Sequence, residues 1–320
     1  MNANLIQKPL GNTGLLVSEF CLGILPMGPL QANLPEAHCI KLIKAALEQG
    51  VLFYDTAESY QTQKYLGSAL KNNREKVVIA TKSVAENFDE MGRSVEQSLE
   101  ELQTDYIDIY HLHAARPQDN LFEQRSGALK RLSKLKLEGV IRAVGVSTHK
   151  PEIVSRAADR DDVDIVYPLI NYKGMGIVEG TLDDMLKSIE KAHLAGKGIY
   201  AMKVLAGGNL IGEMEQAVNW VRQIKGIDAV SMGVVSLEEL IFNLSLFETK
   251  KRGRKPPAPP AKTKKLFIFQ KVCIGCGRCV ETCPNNALYL VREKALVKHE
   301  KCILCGYCSP VCPQFAIRLI

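Results

Sequence analysis

The sequence predicts an α/β fold: a closed parallel (β/α)8 barrel followed by a small cysteine-rich α+β domain. Three observations carry that expectation. Eight short β-branched runs alternate with amphipathic stretches between residues 19 and 247. Of ten cysteines in 320 residues, eight fall between positions 273 and 312. Between the two parts lies the strap KKRGRKPPAPPAKTKK (250–265), with eight Lys or Arg and no acid. The expected division is 1–249 for the barrel, 250–265 for a linker and 266–320 for the second domain.

The strand candidates, in order, are EFCLGI (19–24), VLFYD (51–55), VVIATK (77–82), YIDIYHLH (106–113), AVGVST (143–148), IVYPLIN (165–171), GIYAMKVL (198–205) and AVSMGV (229–234). Helical periodicity follows each, as in Met91–Leu102 and Leu182–Leu194. An open doubly wound sheet would show fewer units and a Gly-rich first turn, and no GxGxxG follows the first run.

The formal charge of +6 is local, because without the strap 33 basic residues face 35 acidic ones. The strap is proline-rich and lacks interleaved aromatics, so it reads as a solvated, semi-extended linker rather than a nucleic-acid arm. No apolar run approaches the roughly 18 residues of a membrane span, and MNANLIQKPLGNTG has no secretory apolar core. A cytoplasmic chain is therefore expected, in which clustered cysteines point to metal rather than disulfides. Cys21 and Cys39, outside the cluster, read as small core hydrophobes.

Barrels place their chemistry at the C-terminal ends of strands. Strand alternation puts Val51, Phe53 and Asp55 on one face, Val78, Ala80 and Lys82 on another, and Ile107, Ile109, His111 and His113 on a third. Three ionisable side chains thus end three consecutive inward faces, and Tyr60 follows Asp55 by five residues. A carbonyl taking up hydride needs a proton donor. A tyrosine with a reference pKa near 10 is a weak one unless a neighbouring ammonium favours its phenolate. Lys82 is expected to supply that charge and Asp55 to hold Lys82, with His113 orienting the carbonyl. His111, one layer deeper, reads as a buried hydrogen-bonded residue.

The segments LGNTGLLVSEFCLG, YDTAESY (54–60), ATK (80–82) and DYIDIYHLH (105–113) resemble the aldo-keto reductase family over roughly residues 8–247. The resemblance implies a catalytic tetrad of Asp55, Tyr60, Lys82 and His113. It also implies a nicotinamide held near Ser147 and Asn171, with its pyrophosphate on the loops Lys203–Gly208, including Gly207, and Gly233–Ser236. Lys203, sharing a face with Ile199 and Ala201, is expected to point into the mouth. Met202 stands where the family usually stacks an aromatic on the nicotinamide, Tyr167 where it often has Gln, and Ala114 where many relatives carry Trp. Glu238 and Glu239 replace the usual 2′-phosphate grip, so the cofactor is expected to be NAD(H) or NADP(H).

Past the strap, CIGCGRCVETCP (273–284) and CILCGYCSPVCP (302–313) both read C-x2-C-x2-C-x3-C-P, and NNALYL answers QFAIRL after them. This duplication resembles a bacterial two-cluster [4Fe–4S] ferredoxin. About 55 residues bury too little apolar surface to be stable alone, so the clusters serve as core. A zinc ribbon would leave the third Cys of each run without a role. The resemblance implies that Cys273, Cys276, Cys279 and Cys312 hold one cluster, and Cys302, Cys305, Cys308 and Cys283 the other. Glycines 275, 277 and 306 let the backbone approach the sulfides.

The expected function is an iron–sulfur oxidoreductase. Its barrel would interconvert a small carbonyl compound and its alcohol, and the ferredoxin domain would link it to a redox protein partner. The competing expectation is an electron-transfer subunit whose barrel is a non-catalytic docking scaffold. A third is a reductase whose clusters are structural or sense oxygen.

Overall fold

The computed structural model describes residues 5–248, 265–283, 285–302 and 307–319; the linker up to residue 264 and Cys305 lie outside the described residues. A hairpin of β1 (Gln7–Pro9) and β2 (Leu16–Ser18) precedes the barrel strands β3 (Phe20–Gly23), β4 (Phe53–Asp55), β5 (Val78–Ser83), β6 (Ile107–Ala114), β7 (Ile141–Thr148), β8 (Ile165–Pro168), β9 (Gly198–Ala201) and β10 (Ala229–Gly233). All eight pair in parallel with their sequence neighbours, and β10 closes the ring onto β3. The hairpin's Leu10, Leu15 and Val17 are buried with the barrel's inward side chains, including Phe53, Val78, Ile109 and Ala143. A second layer of apolar side chains, among them Phe20, Tyr54, Ile79 and Tyr110, packs between the strands and the helices.

Local chemistry explains where helices begin. The helix Phe88–Leu102 starts where the Asn87 side chain accepts the Glu90 N–H, and Leu182–Leu194 opens on a reciprocal Thr181–Asp184 box. Ser236 caps Leu237–Ser245 in the same way.

The seventh strand departs from the expected register. It ends at Ala201, four residues earlier than the sequence pattern suggests. Tyr200 and Met202 face the barrel interior, whereas Ile199 and Ala201 face the helices. A one-residue shift exchanges the two faces of a strand. Lys203 still reaches the mouth because its backbone turns left-handed, φ 57°, just past the strand end.

The C-terminal unit pairs β11 (Leu266–Ile268) with β14 (Ile317–Leu319), and β12 (Leu288–Val291) with β13 (Lys294–Val297). Its small apolar core consists of Leu266, Ile268, Leu288, Ala295 and Ile317 together with cysteine side chains. This unit sits on the barrel's C-terminal mouth. Phe315, itself left-handed at φ 45°, is buried among barrel residues including Tyr167 and Met202, its ring against Gly176. β14 lies against the loop that follows β9: a Cβ on Gly208 would stand 2.2 Å from the Leu319 carbonyl oxygen.

Candidate active site and cluster sites

Lys82, at the end of β5, is almost fully buried and donates to both Asp55 carboxylate oxygens, at 2.7 and 2.8 Å, and to the Thr56 carbonyl at 2.6 Å. Three acceptors satisfy all three ammonium protons. Burial pushes Asp55 up and Lys82 down, and the ion pair opposes both shifts. The Lys82 nitrogen lies 5.1 Å from the Tyr60 ring centroid, and the Tyr60 and His113 rings meet edge-on at 5.8 Å. The four residues named from the strand ends thus surround one point of the mouth.

The expected lowering of the Tyr60 pKa does not occur. Burial and then the Asp55 charge raise it, and the only opposing influence is Arg318. The reason is that Lys82 is paired: the neutralised couple offers little field to a phenolate. His113 is pushed down to about 3, first by burial and then by Lys82, Lys203 and Arg125, so it is neutral. Its Nδ1 has no partner among the described residues.

His111 occupies the deeper position expected of it. Tyr200 donates to Asp55 Oδ2 at 3.0 Å, so the 2.7 Å contact between Tyr200 Oη and His111 Nε2 makes the imidazole the donor there. Gly145 makes room for the ring, since a Cβ there would stand 2.1 Å from His111 Nδ1. Tyr167 stacks on Tyr200 at 3.9 Å and points its hydroxyl at Asp55 Oδ1, 3.4 Å away. The sequence reading missed Tyr200, because its register turned that side chain outward. It also missed Arg125, which donates to the carbonyls of Ser83, Ala85 and His113 and so fixes the ends of two strands. No pattern in the sequence marks Arg125.

The cofactor candidates fare unequally. Ser147 is buried at the end of β7, in register with His113. The Asn171 amide is engaged locally, donating to the carbonyls of Met175 and Lys203 and accepting the Met175 N–H. Lys203, Gly207 and Gly233 line a cavity of about 630 Å³ that also includes Asp55, Tyr60 and, from the C-terminal unit, Arg318. That volume falls in the usual range for ligand pockets.

In the C-terminal unit, Cys273, Cys276, Cys279 and Cys312 line one pocket together with Gly275, Gly277 and Ile317. Burial, and then the charges of Cys312, Cys273 and Cys276, push the Cys279 thiol up, a repulsion that bound iron would offset. Backbone N–H groups of Ala295, Ala287 and Ala316 point at the sulfurs of Cys273, Cys283 and Cys312, each at 3.3 Å. Such N–H···S bonds stabilise cluster thiolates. Gly275, at φ 67°, would place a Cβ 2.2 Å from the Glu293 carbonyl oxygen, so only glycine fits. Cys283, Cys302 and Cys308 pack in the same small core; Cys308 is buried. These thiols, turns and donors fit iron–sulfur clusters.

Comparison with known proteins agrees with this geometry. The family model described as the aldo/keto reductase family matches residues 19–240, and a 4Fe-4S dicluster domain matches residues 272–316. An L-galactose dehydrogenase of Arabidopsis thaliana is 32% identical over 215 residues, 63% of this chain and 66% of that protein. A methylglyoxal reductase of Escherichia coli is 30% identical over 190 residues, 57% of this chain and 67% of its own. Against the first curated relatives the chain spans about half to two thirds of their length, between 53% and 67%. A solved structure from Pseudomonas aeruginosa assigned to the aldo-keto reductases superposes with a TM-score of 0.67 at 26% identity, covering 77% of this chain and 96% of that one. No helix among the described residues is long and apolar enough to cross a membrane. With its closed barrel, its strand-end polar residues and its paired cysteine runs, the chain belongs to the aldo/keto reductase family and carries a 4Fe-4S dicluster domain at its C-terminal end.

Proposed function

We propose that the barrel reduces a small carbonyl compound, or oxidises the matching alcohol, with NAD(H) or NADP(H). In this reading the C-terminal clusters, held by the two four-cysteine sets named above, exchange electrons with a redox protein partner. The observation that carries it is the fully satisfied Asp55–Lys82 pair beside Tyr60 and His113. The nicotinamide supplies hydride, and each cluster passes one electron at a time.

The chain's own residues supply the rest. Tyr60, kept protonated by burial, donates the proton that an alkoxide needs. His113 is neutral, and a ring N–H directed at the substrate oxygen orients the carbonyl without adding a charge. Asp55 holds Lys82 and is itself held by Tyr200, so the polar base of the site is rigid before substrate arrives. A protonated Tyr60 at neutral pH favours the reductive direction.

The test is turnover of NADH or NADPH by anaerobic, cluster-loaded protein with a panel of small aldehydes and ketones. Tyr60→Phe is expected to lower kcat by about 10²- to 10⁴-fold with iron content unchanged. Reduction that survives in Tyr60→Phe would remove Tyr60 from the chemistry. The scaffold reading draws on the Phe315–Arg318 segment lying against the mouth; aldehyde turnover by the parent protein would end it.

A further inference from the structure

The cavity that holds Tyr60 has a wall the barrel does not supply. Arg318, from β14 of the iron–sulfur unit, lines it together with Lys203, and so do Leu266 and Phe267 of the same unit. Arg318 is only 7% exposed. One guanidinium nitrogen donates to the backbone carbonyls of Phe315 and Ile317, and the group lies 4.2 Å from the Phe315 ring centroid. Its Cδ is packed against Gly207, since a Cβ on that residue would stand 2.3 Å away.

No acidic side chain forms an ion pair with Arg318 or Lys203 among the described residues. Their charged neighbours are mostly cations. Arg116 and Lys82 act on Lys203 alongside Arg318, and the one nearby acid, Asp55, is already bonded to Lys82. Arg116 adds two buried guanidinium nitrogens with no partner, Nε and Nη2. Cations gathered with so little solvent and no counter-charge call for a bound anion. Cys312 is near both arginines, so a cluster bound there answers part of that charge, but Cys312 is not among the groups acting on Lys203.

The position of the pair selects the anion. The lining runs from Asp55 and Tyr60 through Lys203–Gly208 and on to Gly233–Val235 and Glu239, so the two cations stand partway along an elongated ligand rather than at the Tyr60 end. A substrate carboxylate would sit beside Tyr60. A pyrophosphate joining two nucleosides would sit where the pair is.

We propose that Arg318 is the second half of an anion clamp opened by Lys203, and that the clamp closes on the pyrophosphate of the dinucleotide. The nucleotide site is then built from both domains. Nucleotide binding and docking of the iron–sulfur unit must favour each other to the same degree, since both draw on one coupling free energy. The inference rests on the nicotinamide reading above.

The experiment is anaerobic calorimetric titration of the full cluster-loaded chain with NADH and with ADP-ribose, which keeps the pyrophosphate and lacks nicotinamide. In Arg318→Gln both are expected to bind at least about tenfold more weakly, with Arg318→Lys in between. The parent's loss of affinity with added salt should become shallower in Arg318→Gln. Iron content and the cluster absorbance of each variant establish that the unit is assembled. Should Arg318→Gln shed its clusters, Lys203→Gln in the barrel tests the same clamp and is expected to show the same loss. ADP-ribose affinity unchanged in these variants overturns the clamp while leaving the nicotinamide reading intact. A weakened KM for acidic carbonyl substrates with unchanged ADP-ribose affinity assigns the anion to substrate and also overturns it. A parent that binds neither nucleotide defeats the nicotinamide reading itself.

Discussion

Lys82 gives its charge to Asp55, and that decides how Tyr60 behaves. With the ammonium neutralised, burial dominates and the phenol stays protonated through the working range of pH. Reduction needs the phenol and oxidation needs the phenolate. Alcohol oxidation should therefore climb with pH up to about 10 without a plateau, while carbonyl reduction stays flat. Steady-state rates in both directions across that range decide the matter; an oxidation plateau near neutral pH would mean a lowered phenol. His113, held down to about 3, adds no titration between about pH 5 and 8. Asp55→Asn removes the carboxylate from a buried ammonium and two tyrosines at once. It should destabilise the fold by about 3–5 kcal/mol, read by denaturant unfolding, and lower kcat with it. At this scale the sequence was informative where alternation applied: Asp55, Lys82 and His113 could be found by counting along strands. It was silent on how Lys82's charge is shared, because Tyr200 and Thr56 meet Lys82 or Asp55 only through barrel closure.

Elements explain where the counting failed. β9 is four residues long, too short for alternation to fix its own register, and it is pinned by pairing with β8 and β10. The sequence reading set Ile199 and Ala201 inward; the barrel sets Tyr200 and Met202 inward instead. The cysteine runs behave differently. Their short spacing and glycines specify local turns with no help from distant pairing, so the pocket of Cys273, Cys276, Cys279 and Cys312 was legible in advance. Gly275 sharpens this into a prediction. Alanine there meets both a left-handed φ and the Glu293 carbonyl. In Gly275→Ala, iron should fall from about eight to about four atoms per chain by colorimetric assay, with the barrel's circular dichroism unchanged. Full iron loading would show that the turn tolerates a side chain.

The whole molecule is a barrel whose mouth is shared with its appended domain. Composition foretold two units and a linker, but not that the second unit reaches back across the linker to seat Phe315 and Arg318 at the first unit's site. Two isolated residues separated from the barrel by more than 60 positions leave no periodic signal. The same burial makes the molecule sensitive to acid. His111, His113 and His149 are all held neutral by desolvation and nearby cations. Their folded pKa values lie below the unfolded value near 6.5, so the unfolded chain binds more protons as the pH falls. Stability present above about pH 6.5 is lost progressively below it. Thermal unfolding at pH 7.5 and pH 5 should show a clearly lower Tm at the acid value; an unchanged Tm would mean that these imidazoles charge freely in the folded state.

The central claim is that hydride reaches the substrate directly at Tyr60, beside clusters that carry single electrons. The most direct measurement is reduction of a small aldehyde by the cluster-loaded protein with nicotinamide deuterated at C4, followed by mass analysis of the alcohol. Carbon-bound deuterium in the product, lost along with turnover in Tyr60→Phe, is the predicted result. An alcohol formed with hydrogen from solvent at that carbon would contradict it, because the electrons would then have arrived one at a time through the clusters.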